Sequence, residues 1–146
     1  MSKPRGTPPP EYALNPTPCA SCPYRRDCPP GVWAPEEYAM LRPFDTNETA
    51  ATFLCHQTLV VGKDTLCRGW LTVHRENVAV RLLGMRGIVT WEEIYQEPTV
   101  PLYASGNEAA DAGLAGVPHP DQRARRMIER LATKGVFKER RRRGAP

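Results

Sequence analysis

The residues best able to do chemistry in this sequence are its five cysteines, three of which fall within ten positions. They are Cys19, Cys22, Cys28, Cys55 and Cys67. Cys19 and Cys22 form a Cys-x2-Cys pair, a short turn whose two sulfurs can face one ion. Thiolates suit zinc and iron–sulfur clusters and do not suit magnesium or calcium. The spacing therefore predicts one metal site around which a small core is built.

Disulfides and buried structural thiols are the other interpretations of these cysteines. The sequence has no secretory signal and no apolar run near the roughly 20 residues of a membrane span, so we expect a cytoplasmic protein without a membrane partner. A reducing cytosol disfavours disulfides, and an odd count leaves one thiol over. Burial in the core stays open, although Pro18 and Pro23 indicate a loop around the first pair.

Cys55 and Cys67 lie further along the chain, each in a context that favours a ligand. Neighbouring side chains of an extended segment point to opposite faces, so Cys55 and His56 do not form a nucleophile and its base. We favour Cys55 as a ligand, and His56 as a hydrogen-bond donor, a core residue or, less favoured, a second ligand. Cys67 precedes a predicted helix, whose dipole favours a thiolate.

The elements that must position these thiols are short and mostly helical. Apolar spacing, proline positions and capping boxes predict them. Helices are predicted over Pro35–Leu41, Arg68–Leu83, from Thr90, from Ser105, and over Asp121–Lys134. Leu59–Thr65 reads as a short strand that turns near Gly62. The sequence thus predicts a small, mainly α, metal-stabilised domain with one short hairpin.

The ends of the chain differ from its middle. We expect a disordered proline-rich arm over 1–17, a metal-binding domain over 18–134 and a basic tail over 135–146. With 146 residues, 16 prolines and a mean hydropathy of -0.51, the apolar core is limited and a metal would reinforce it.

Positive charge is concentrated at the C-terminus. Residues 117–146 carry ten Lys or Arg against three Asp or Glu, net +7, and residues 1–116 carry ten against thirteen, net -3. The tail contains Arg140, Arg141, Arg142 and Arg143. Such a block predicts contact with the phosphates of DNA or RNA, and a solubilising tail is the alternative.

Residues 18–85 resemble a family of uncharacterised proteins from actinobacteria and their phages, a domain of unknown function. The resemblance rests on four motifs, which are PCxxCPYR from Pro18, GVW from Gly31, FxCHQ from Phe53 and CxGW from Cys67. It implies a ligand set of Cys19, Cys22, Cys55 and Cys67. Cys28 is outside the family pattern, and the resemblance implies no reaction.

The segment Cys19–Cys28 is also similar to the Cys-x2-Cys-x5-Cys part of WhiB-like iron–sulfur regulators, and Gly31-Val32-Trp33 is similar to their turn. Those proteins keep a basic C-terminal segment for DNA. Here the further cysteines lie downstream instead of upstream, and Ala34-Pro35 replaces a Gly-Gly pair.

Four thiolates suit both a [4Fe–4S] cluster and one Zn2+. The sequence favours the cluster, with zinc as the alternative, because proline follows Cys22 and because Tyr24, Trp33 and Trp70 would exclude water, which a cluster requires more than zinc does. We expect a small regulatory or accessory protein that contacts nucleic acid, or instead a zinc-stabilised module that binds another protein. No paired carboxylates, phosphate-binding glycine loop or activated nucleophile is evident, so an enzyme is the third and least favoured hypothesis.

Overall fold

A computed structural model describes residues 12–55 and 64–137. The strands are β1, Tyr12–Leu14, and β2, Asp64–Leu66. The α-helices are α1, Pro35–Ala39; α2, Arg68–Val73; α3, Val78–Met85; α4, Trp91–Tyr95; α5, Gly106–Gly116; and α6, Gln122–Thr133. A 3-10 helix spans Arg42–Asp45. The expectation of a small, mainly helical chain is confirmed over these residues.

Most helices begin where the local sequence predicts. Pro35 occupies the first turn of α1, and Thr90 opens α4 with a complete capping box to Glu93. Ser105 and Asp121 cap α5 and α6 by accepting a backbone N–H through the side chain. These short polar residues satisfy helix donors that would otherwise lack partners, so each boundary follows from chemistry within a few residues.

The predicted helix over Arg68–Leu83 is wrong in one respect, because it is two helices. The chain leaves α2 at His74 and starts α3 after Asn77, whose backbone is extended. The Asn77 side-chain amide donates a 2.6 Å hydrogen bond to the Phe44 carbonyl. The helical spacing of apolar residues in the sequence continues through residues 74–77, but the contact of Asn77 with a distant segment interrupts the helix there.

The described residues form one two-stranded sheet, which is parallel, and most of the predicted hairpin lies outside them. β1 and β2 pair in parallel, with Tyr12 opposite Asp64 and Leu14 opposite Leu66. An isolated antiparallel bridge joins Leu54 to Leu66. β1 lies within the segment predicted as an arm, so ordered pairing reaches Tyr12. The part of the predicted strand before Asp64 lies outside the described residues.

Helix α5 packs closely on α1 through a glycine. The Tyr38 hydroxyl accepts a hydrogen bond from the Trp33 backbone N–H at 3.2 Å, which fixes the ring. The ring lies against Gly113, and a Cβ built on that glycine would overlap it. Both aromatic residues are only 2% exposed.

Within the described residues, no helix has the length and apolar character needed to cross a membrane.

Gly113→Ala tests the packing of α5 on α1. Alanine normally stabilises a helix relative to glycine by about 1 kcal/mol, but here the added methyl group overlaps Tyr38. We expect the free energy of unfolding to fall by about 1–3 kcal/mol, measured by urea denaturation. Ala115→Ser, an exposed change in the same helix, should change it by less than about 0.5 kcal/mol. A Gly113→Ala protein more stable than the wild type would contradict this packing.

Candidate metal centre

Cys19 and Cys22 lie in a turn closed by backbone hydrogen bonds. The Cys22 N–H donates to the Cys19 carbonyl at 2.9 Å, and the Arg25 N–H donates to the Cys22 carbonyl at 3.1 Å. The Arg25 guanidinium donates to the Pro18 carbonyl and to both carboxylate oxygens of Asp27. This contact holds the pKa of Asp27 below its usual value. These hydrogen bonds hold the turn without the help of a bound ion.

Trp33 closes the inner side of this turn. Its indole N–H donates to the Ser21 carbonyl at 2.8 Å, and Ser21 lies between the two cysteines. The Trp33 ring is buried in the core while its polar atom binds the turn.

Cys55 and Cys67 are placed by the pairing around Leu66. The Cys55 N–H donates to the Thr65 carbonyl at 2.6 Å, and the Cys67 N–H donates to the Phe53 carbonyl at 2.8 Å. In such antiparallel pairing, residues on either side of the Leu54 and Leu66 bridge share one face. Both thiols therefore lie on the face opposite the two leucines.

Cys67 is also the N-terminal cap of α2. Its sulfur accepts a hydrogen bond from the Trp70 N–H at 3.4 Å, as the predicted position before a helix suggested. An N–H donated to sulfur favours the thiolate over the thiol.

The two distant segments meet through sulfur. Sγ of Cys19 lies 3.6 Å from Sγ of Cys55, and Sγ of Cys22 lies 3.7 Å from Sγ of Cys67. Each contact joins residues at least 36 positions apart in sequence. The structure thus brings the four cysteines predicted as ligands into two close pairs.

The thiols form two pairs that interact with each other. The Cys55 thiol and burial raise the pKa of Cys19, and burial and the Cys22 thiol raise the pKa of Cys67. The charges of Cys19 and Cys55 also act on Cys67. Over residues 12–55 and 64–137, no group of three or more His, Cys, Asp or Glu side chains is already arranged to hold an ion. All five cysteines fall in this part of the chain and none is in a disulfide.

Buried groups pack around the Cys22 thiol. A Cβ built on Gly69 would lie 2.7 Å from Sγ of Cys22 and 2.9 Å from Cβ of Tyr24. Only a glycine at this position of α2 lets the helix approach the turn so closely. Tyr24 is fully buried, with its ring edge-on to Phe53 at 6.0 Å between centroids.

Cys28 is not part of this group. Its sulfur lies 3.9 Å from the Met127 sulfur in α6, and burial raises the pKa of its thiol to about 12. It is a buried thiol that packs against α6. His56 and Arg140–Arg143 lie outside the described residues.

A polar network that the sequence did not predict adjoins the thiols. The Tyr24 hydroxyl lies 3.2 Å from Nε2 of His74, and that nitrogen lies 3.8 Å from a carboxylate oxygen of Asp45. Asp45 accepts the N–H groups of Gly106 and Asn107 at the start of α5. The available signal was the spacing of His74 four residues after Trp70, which places the C-terminal cap of α2 on the same buried side as Trp70. Nothing in the sequence indicated Asp45.

A comparison with protein-family models matches residues 14–131 to a family of unknown function, DUF6283. The chain belongs to this family. The DUF6283 match spans both cysteine pairs and ends within α6, so the thiol group lies inside the family region. Comparison with curated proteins and with solved structures finds no match.

His74→Gln tests the buried network. Burial lowers the pKa of His74, although the Asp45 carboxylate opposes this. The unfolded chain then takes up a proton more readily than the folded one, so stability should fall as the pH drops below about 6.5. His74→Gln should reduce that pH dependence and lower stability near pH 7.5 by about 1–3 kcal/mol.

Urea denaturation across this pH range provides the measurement, with exposed His119→Gln as the matched control. The control should keep the wild-type slope. An unchanged slope in His74→Gln would show that His74 contributes nothing to the pH dependence.

Proposed function

We propose that Cys19, Cys22, Cys55 and Cys67 together bind one zinc ion that holds the domain together in the reducing cytoplasm. The contact of the two sulfur pairs carries this proposal. Each pair takes one thiol from the turn at Cys19–Cys22 and one from the paired segments around Leu66. An ion shared by both pairs would crosslink these parts of the chain.

The spacing of the sulfurs favours zinc over the [4Fe–4S] cluster that the sequence favoured. Four sulfurs at about 2.3 Å from one tetrahedral zinc ion lie about 3.8 Å from one another. The contacts of 3.6 and 3.7 Å fit two edges of that tetrahedron. In a [4Fe–4S] cluster each thiolate binds a different iron, which separates the cysteine sulfurs further.

Zinc binding requires the two pairs to close on one point and their thiols to lose protons. The raised pKa values of Cys19 and Cys67 mean that these two thiols keep their protons at neutral pH when no ion is bound. A divalent cation reverses this, because it stabilises the thiolates it binds. Binding energy then becomes folding energy, which suits a chain of short elements.

Four cysteine ligands fill the coordination sphere of zinc and leave no open position for a substrate. The site therefore fits a structural role. We propose that the chain is a regulatory or accessory protein and not an enzyme. A [4Fe–4S] cluster on the same thiols is the competing cofactor, and the metal analysis below distinguishes them.

The basic C-terminal region supports a proposal of nucleic-acid binding. Ala124 and Leu131 of α6 are buried, and its arginines are exposed. Arg123, Arg126 and Arg130 follow at steps of three and four residues, so they line one face of the helix. Arg123 also donates to the Asp27 carbonyl at 3.1 Å, which anchors the helix near the cysteine turn. Such a row of guanidinium groups fits the phosphates of DNA or RNA.

The alternative function is a zinc-stabilised module that binds another protein. This module would have the same thiol site but would not bind nucleic acid. A measurement of nucleic-acid binding therefore distinguishes the two functions.

Metal analysis tests the proposed site. Protein purified anaerobically should be colourless and contain one zinc per chain, by elemental analysis and absorption spectroscopy. Cys55→Ser should lose most of the zinc and much of its stability, because the ion then lacks a ligand that links two segments. Cys28→Ser should retain the zinc. A brown protein with iron and sulfide would establish the cluster, and a chain free of metal would disprove both.

Salt-dependent binding tests the nucleic-acid proposal. Single-stranded and duplex DNA and RNA of mixed sequence should bind the full chain with affinity that falls steeply as salt rises. Arg126→Gln with Arg130→Gln should reduce the slope of log K against log salt by about 2, roughly 0.9 for each lost phosphate contact.

Arg81→Gln with Arg86→Gln removes the same charge from exposed positions in α3 and at its C-terminal cap, and should leave the slope unchanged. Neutral glutamines at Arg140–Arg143 measure the contribution of the tail separately. No binding at low salt by the wild type would favour the protein-binding alternative.

A further inference from the structure

The pairing of the four thiols has a specific chemical consequence. Close sulfur contacts join Cys19 to Cys55 and Cys22 to Cys67, and each contact crosses between the two segments. We propose that peroxide oxidises these pairs to two disulfides and releases the ion while the chain stays folded. This regulation rests on the proposed zinc site for the ion, but the pairing rests on sulfur contacts alone.

The chemistry balances without a further reactant. In each pair one thiol attacks hydrogen peroxide, its sulfur becomes a sulfenic acid and water leaves. The partner thiol then attacks that sulfur, an S–S bond forms, and a second water leaves. Two thiols thus give up two electrons to one peroxide. For the bound site, four thiolates, two peroxides and four protons give two disulfides and four waters, and the ion has no ligand left.

Differences in exposure order the two steps. Cys19 is half-buried, whereas Cys22, Cys55 and Cys67 are buried, so peroxide reaches Cys19 first. Its neighbour at 3.6 Å is Cys55, which resolves the sulfenic acid before a second peroxide can oxidise it further. Loss of these two ligands leaves the ion held only by Cys22 and Cys67. The weakly held ion then dissociates, and this second pair becomes open to oxidation.

The resulting crosslinks connect the same segments that the ion connected. A disulfide within the Cys19–Cys22 turn would not do this, because it would leave the turn unlinked to the segment around Leu66. Crossed disulfides replace the ion as a covalent link, so release of the ion does not unfold the domain. Oxidation by peroxide would therefore release zinc and leave a protein crosslinked by two disulfides.

Oxidation of the purified full-length protein tests the proposal. The zinc-loaded chain is treated with excess hydrogen peroxide, remaining thiols are alkylated, and disulfides are assigned by tandem mass spectrometry. A colorimetric chelator follows zinc, and circular dichroism follows the fold. We expect disulfides Cys19–Cys55 and Cys22–Cys67, about one zinc released per chain, a retained helical spectrum and full reversal by dithiothreitol.

Double variants provide matched controls. Cys22→Ser with Cys67→Ser leaves the pair Cys19 and Cys55, which should still oxidise to a disulfide. Cys19→Ser with Cys67→Ser leaves Cys22 and Cys55, which belong to different pairs and should crosslink at least tenfold more slowly. If these variants fold poorly, the wild-type disulfide assignment alone decides.

Other outcomes overturn the inference or separate it from the zinc proposal. A Cys19–Cys22 disulfide, pairing with Cys28, or irreversible sulfinic acid at Cys19 would overturn it, as would loss of the helical spectrum on zinc release. If the purified chain contains no zinc but forms the two crossed disulfides, the zinc proposal fails and the pairing holds. If zinc is present and peroxide leaves it bound, the zinc proposal holds and the redox inference fails.

Discussion

Sulfur contacts between two distant segments are the constraint on which the structure depends. Over residues 12–55 and 64–137 the longest helix has 12 residues and each strand has three, so none of these elements is long enough to be stable alone. The turn at Cys19–Cys22 and the paired segments around Leu66 meet where the thiols touch. A buried shell that includes Trp33 and Tyr24 forms around this meeting point. If the thiols were apart, these elements would lose their common centre.

Close approach of the backbone makes that meeting possible. Gly69 lets α2 approach Cys22, and Gly113 lets α5 approach the ring of Tyr38. The network from Tyr24 through His74 to Asp45 then connects the region of the thiols to the start of α5. The polar network and the close backbone packing therefore lie in the same region of the core, beside the thiols. A bound ion would draw the two existing sulfur pairs onto one point.

Local chemistry made much of the fold predictable, and distant contacts made the rest unpredictable. The starts of α1, α4, α5 and α6 follow from proline and capping residues, which act within one turn. The break between α2 and α3 depends on Asn77 reaching Phe44, which no periodicity encodes. The parallel pairing of β1 with β2 joins residues 52 positions apart, as Tyr12 and Asp64 show, so no local pattern could predict it. Cysteine type and spacing identified the thiols that meet, but only the structure shows which sulfur lies beside which.

Zinc K-edge X-ray absorption of the purified, reduced protein tests the central claim most directly. It reports the atoms bound to the ion and their distances without any substitution in the chain. The account predicts a single shell of four sulfurs at about 2.3 Å and no second metal nearby. A shell containing nitrogen or oxygen ligands, or the absence of any zinc signal from protein that also lacks iron, would contradict it.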